Sequence, residues 1–69
     1  MALMWREIVE GGQHRFECSF GGIPLTITKS EVPDAWYCIL PSGQRLIGEL
    51  RTVRWLAESV MLLRYDCSD

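Results

Sequence analysis

Basic residues are scarce in this 69-residue chain: seven Lys and Arg stand against nine Asp and Glu, for a formal charge of −2. A nucleic-acid binder normally carries a basic excess, so this balance argues against that class. Long apolar runs are missing too. No stretch approaches the ~18 residues that a membrane span requires. The opening "MALMWREIVE" has no basic leader, and it meets Arg6 and Glu7 before an apolar core can form, so it does not read as a secretory signal. Cysteine is sparse and unpaired in spacing. Cys18, Cys38 and Cys67 are three in number, an odd count, and stand 20 and 29 residues apart. The expectation is a cytoplasmic protein with reduced thiols and no membrane partner.

These shortages bear directly on chemistry. Structural zinc sites are built on closely spaced Cys pairs, which this chain lacks, so no metal or other cofactor is expected. Nucleophilic catalysis needs a nucleophile, a base and an orienting group held together in a pocket. The single histidine, His14, follows Gly11-Gly12 and is expected in a solvated turn. Glu7 and Glu17 are placed to face each other across two strands as ordinary exposed residues. Neither Gly-Gly pair leads from a strand into a helix, so neither is a phosphate loop. No catalytic residue is assigned, and the chain is not expected to be an enzyme.

What the chain does hold is apolar material, 48% of its residues, with three Trp. That is too much for a disordered chain and enough for one domain over residues 1–69. A domain of this size buries only about 60% of its unfolded surface, so a partner subunit would add materially to its stability.

The plainest local pattern is "RFECSFGGIPLTIT". Phe16, Cys18 and Phe20 alternate with polar residues, and Ile23, Leu25 and Ile27 do so again after Gly21-Gly22. A two-residue Gly-Gly loop suits a hairpin, because glycine accepts positive φ without steric cost. The register then pairs Phe20 with Ile23, Cys18 with Leu25 and Phe16 with Ile27. Pro24 cannot donate to a ladder and belongs at an edge or strand start. Upstream, "LMWREIVE" is either a strand or a short helix, and Gly11-Gly12 favours a strand paired with residues 15–20. After the polar linker "KSEVPDA", "AWYCILPSGQRLIGEL" reads as a second hairpin. A turn centred on Ser42-Gly43 sets Ile39 opposite Leu46 and Tyr37 opposite Gly48. Trp36, Cys38, Leu40 and Ile47 then share the other face.

"TVRWLAESVMLL" completes the chain as a helix, with Thr52 as its expected N-cap. Val53, Leu56, Ala57, Val60 and Leu63 follow a 3-4 spacing, Arg64 continues it, and the helix is expected to bury Val53, Leu56, Val60 and Leu63 against the sheet. The fold class is therefore α+β: an antiparallel sheet of four to five strands, in two hairpins, covered by one C-terminal helix.

The helix carries a second apolar stripe. Trp55 lies about 200° around the helix from Val53 and cannot face the same sheet centre. Leu62 lies two turns on, with Arg51 and Arg54 close by. Trp and Arg are enriched at interface hot spots. Trp55, Leu62, Arg51 and Arg54, with Trp36 on an exposed sheet face, are the candidate protein-interface residues. The competing reading folds Trp55 over the helix edge to finish a thin core. The partner would be a protein target or a second copy of the chain.

Two resemblances bear on function. Residues 35–63 resemble the hairpin-plus-helix layout of AP2-like and phage-integrase arm-binding domains, through the topology and Trp36, Gly48 and Leu56-Ala57. That resemblance implies a sheet laid in the DNA major groove with the helix behind it. The departure is that such sheets are basic, whereas here Arg45 stands against Glu49. In length, acidity and make the chain also resembles small inhibitory proteins of phages and prophages, anti-CRISPR proteins among them, which share no common motif. This implies a compact decoy, acting in the host cytoplasm, that occupies the surface of a host enzyme or defence complex.

Overall fold

The computed structural model describes residues 4–63. Strands β1 (Arg6–Glu10), β2 (Gln13–Phe20), β3 (Ile23–Lys29), β4 (Trp36–Ile39) and β5 (Arg45–Gly48) precede one helix, α1 (Leu50–Met61). The strands form a single antiparallel sheet in chain order. The fold is α+β, with α1 packed against β3, β4 and β5. Among the described residues no helix is long and apolar enough to cross a membrane.

The first two turns follow from glycine. Gly11 and Gly12 have φ of 59° and 76°, and Gly21 and Gly22 have 59° and 85°. Two successive positive-φ residues make the turn whose twist matches that of the flanking strands. The β2–β3 register is the expected one, with Phe20, Cys18 and Phe16 opposite Ile23, Leu25 and Ile27. Residues 6–10 form a strand, paired with residues 13–17. Glu7 consequently faces Phe16, and Glu17 faces Arg6 rather than Glu7. Pro24 lies where β3 has no β4 neighbour, since only residues 27–29 pair across that edge.

The second hairpin departs from its expected register by one residue. Ile39 faces Arg45, Cys38 faces Leu46, Tyr37 faces Ile47 and Trp36 faces Gly48. The loop is the reason. The Gly43 N–H donates to the Leu40 carbonyl and the Leu40 N–H to the Gln44 carbonyl, both at 2.8 Å. Pro41 thus takes the second position of a β-turn, and Gly43, at φ 95°, adds the third loop residue in left-handed conformation. One residue of slip exchanges faces. Leu46 joins Trp36, Cys38 and Leu40 toward the helix, and Ile47 turns outward, where it is exposed with Ile39.

The helix also starts earlier than expected. Glu49, not Thr52, is the N-cap, and its carbonyl accepts the Val53 N–H at 2.9 Å. Thr52 lies within the first turn. Leu50 enters the inward face, and the buried stripe is Val53, Ala57 and Met61, with Leu50 and Val60 packed beside it. Leu56 is only half-buried, and Leu63, expected in the core, is 73% exposed. Adding Leu50 and Met61 to one side of the arc rotates the stripe and turns Leu63 out. Arg64 lies outside the described residues.

The core unites Leu25, Ile27, Trp36, Cys38 and Leu40 from the sheet with Val53, Ala57 and Met61. Trp36 is only 8% exposed, which corrects its expected place on an exposed sheet face. The one-residue loop extension leaves it on the helix side, where its ring lies 5.5 Å from that of Phe16 and 5.0 Å, edge-on, from that of His14.

Candidate helix-flank interface

The outer side of α1 is where the chain leaves a large aromatic residue uncovered. Trp55 is 63% exposed. It points away from the sheet because the inward arc is filled by Leu50, Val53, Ala57 and Met61, and two residues beyond Val53 lies the far side of the helix. Arg51 and Arg54 are exposed on the adjoining arc. Leu50, Arg51, Arg54, Trp55 and Glu58 together line an open groove of about 380 Å³. The structure thus brings together three of the five candidate residues. Leu62, the C-cap residue, is half-buried and does not line this groove; its N–H turns back to the carbonyls of Glu58 and Ser59. Trp36 belongs to the core.

The electrostatics of the flank are set by Glu58. Its carboxylate accepts a 2.6 Å hydrogen bond from the Trp5 indole N–H, tying the chain ahead of β1 to the helix. Arg54 approaches the same carboxylate at 3.7 Å, a loose i,i+4 pair worth a few tenths of a kcal/mol, about 0.3–0.5. Glu58 is thereby occupied, and Arg51 and the outer part of Arg54 give the groove mouth a positive character.

Other surfaces had no place among the candidates. Tyr37, Ile39, Ile47 and Arg45 lie on the sheet face away from the helix, and Val32 beside them is exposed. The Pro41-Ser42-Gly43 loop was the signal that would have exposed Ile47, since it fixes which residues face out. A larger groove, about 680 Å³, lies instead around Met4, Trp5, Glu17 and Pro24 and is lined by none of the candidate residues.

His14 is not in a turn. It occupies β2, where its Nε2 lies 2.6 Å from Glu7 Oε2 and its ring lies tilted against Phe16 and edge-on to Trp36. The strand begins directly after the two-glycine turn, so alternation carries His14 onto the helix-side face with Phe16. Cys38 is fully buried and Cys18 half-buried, both free; Cys67 lies outside the described residues. Burial pushes both thiols up, Cys18 to about 11 with the Glu58 carboxylate and Cys38 adding to the effect. Thiols held neutral are poor nucleophiles and poor ligands. Among the described residues, no three His, Cys, Asp or Glu side chains converge as a metal site would require.

No protein-family model matches this sequence, and comparison with curated proteins and with solved structures gives no match.

Proposed function

We propose that this chain is a non-enzymatic protein-interaction module of the cytoplasm. In this reading it docks the outer flank of α1 onto a protein target and blocks it by occupation, as a small phage-type inhibitor of the anti-CRISPR kind does. The observation that supports this most is Trp55, a large exposed indole on the helix with two arginines, Arg51 and Arg54, on the arc beside it. Aromatic and Arg anchors of this type supply much of the energy of protein interfaces. The target surface that fits has an apolar pocket for the indole and carboxylates for Arg51 and Arg54. Self-association through this flank is disfavoured, because a twofold contact would set the Arg pair of one copy against that of the other.

The alternative, a hairpin-and-helix nucleic-acid binder, has the helix behind its sheet as that resemblance implies. Its outer face over β4 and β5 offers Arg45 alone beside Tyr37, Ile39 and Ile47. Arg6 and Arg15 on the same face are already bridged to carboxylates. Neutralising phosphates needs more free cations than these.

The test is capture from a host lysate, comparing wild type with Trp55→Ala and with Arg51→Glu/Arg54→Glu. A specific target should be retained by wild type and lost by both variants while the far-UV circular dichroism stays unchanged. Capture indifferent to both variants contradicts the reading, as does salt-sensitive binding of random duplex DNA that is lost on Arg45→Ala.

A further inference from the structure

β1 is an edge strand: among the described residues only β2 pairs with it. An unpaired edge is a template for another strand, and the sequence of this one specifies which. We infer that β1 pairs antiparallel with β1 of a second copy, centred on Ile8, to make a continuous ten-stranded sheet.

Hydrogen-bond parity comes first. The Gly11-Gly12 turn is closed by the pair Glu10–Gln13, which in a two-residue loop exchanges its backbone hydrogen bonds. Antiparallel ladders alternate, so Ile8–Arg15 and Arg6–Glu17 are also bonded pairs. The N–H and C=O groups of Glu7 and Val9 therefore point outward, where no other strand among the described residues meets them. The registers of this parity that overlap at least three residues of each β1 are those centred on Glu7, Ile8 or Val9.

Charge then selects one register. Centring on Glu7 sets Glu7 against its own copy, two like charges face to face. Centring on Val9 sets Ile8 against Glu10 and Arg6 against Gly12. Centring on Ile8 pairs Glu7 with Val9 twice through the outward backbone groups, stacks Ile8 on Ile8, and faces Arg6 with Glu10 twice. Opposite charges directly across a ladder stabilise it and like charges oppose it. Arg6 already lies 3.6 Å from Glu17, and Glu10 lies 3.0 Å from Arg15, which also holds Glu17 at 2.8 Å. The two new pairs join these into one network across the seam, on the sheet face away from the helices. Val9, 69% exposed in one chain, comes to lie against the partner strand.

This dimer uses the strand edge opposite the helix-packed strands and does not depend on the helix-flank reading. Sedimentation equilibrium of the full chain tests it. Wild type should be a dimer. Arg6→Glu and Glu10→Arg should each raise the dissociation constant roughly tenfold or more. An equimolar mixture of the two variants should restore association as a heterodimer, since both seam pairs are again of opposite sign. Val9→Pro should give a folded monomer, because it removes an outward N–H and leaves the β1–β2 ladder whole. Should Val9→Pro fail to fold, the charge-reversal mixture still decides. A wild-type chain monomeric up to about 1 mM (a free energy near −4 kcal/mol) overturns the inference. So does a dimer indifferent to both charge reversals, or one abolished by Trp55→Ala alone.

Discussion

Cys18 lies on the helix side of β2, opposite Leu25, where burial and the nearby Glu58 carboxylate push its thiol from 9.0 to about 11. A raised folded value means that folding favours the neutral thiol, so this contribution is whole below pH 9 and is lost as pH rises from 9 toward 11. In a Cys67→Ser background, alkylation by iodoacetamide at pH 8 should be slow for the folded chain and fast in urea. Rapid alkylation of the folded protein would contradict the packing of Cys18 and Cys38. Glu17 behaves oppositely. The hydrogen bond from Arg15 holds its carboxyl below the usual carboxylate range, so its contribution is present above that range and lost as pH falls through the folded value. Glu17→Gln should flatten the acid limb of a melting-temperature profile, and an unchanged limb would show the pair to be idle. Alternation alone placed Cys18 on its face. The ion pairs of Arg15 were not legible, because they run to Glu10 and Glu17 at i−5 and i+2 and depend on a register still to be established.

Elements were legible in proportion to how tightly their ends are fixed. The Gly21-Gly22 loop admits one register, and the structure has it. A turn centred on Ser42-Gly43 takes no account of Pro41, whose fixed φ suits the second position of a turn ending in Gly43. The helix starts before Thr52 for a related reason. Thr52 is a better cap by residue type than Glu49, but Leu50 and Val53 must both face inward, and their burial outweighs a cap worth about 1 kcal/mol. This makes the rotated stripe testable. Met61→Ala should cost about 2–5 kcal/mol, whereas Leu63→Ala should change stability by less than about 0.5 kcal/mol. The reverse order in urea unfolding would restore the stripe read from the sequence. Thr52→Ala should be neutral or slightly stabilising, since inside the first turn alanine is the better helix former. A loss of about 1 kcal/mol would return the cap to Thr52.

At the scale of the whole molecule, one helix packs on the β3–β5 part of one face of the sheet, and two surfaces follow from that asymmetry. The helix flank bears Trp55 with Arg51 and Arg54, and the far edge bears β1. The twofold axis of the β1 seam stands perpendicular to the sheet, so both helices of a dimer would lie on the same side and present their indoles on one face. Linking two weak sites in this way raises apparent affinity without a new contact, provided one target can reach both. The flank was legible from helical periodicity alone, which puts Trp55 and Val53 on different sides whatever the exact start of the helix. The central claim is that Trp55 meets a target protein, and site-specific photocrosslinking tests it most directly. With benzoylphenylalanine in place of Trp55, irradiation in the native host background should yield one dominant adduct to a different protein, absent when the probe replaces Thr28 on the opposite sheet face. Adducts only to a second copy of the chain, or the same adducts from both positions, would contradict it.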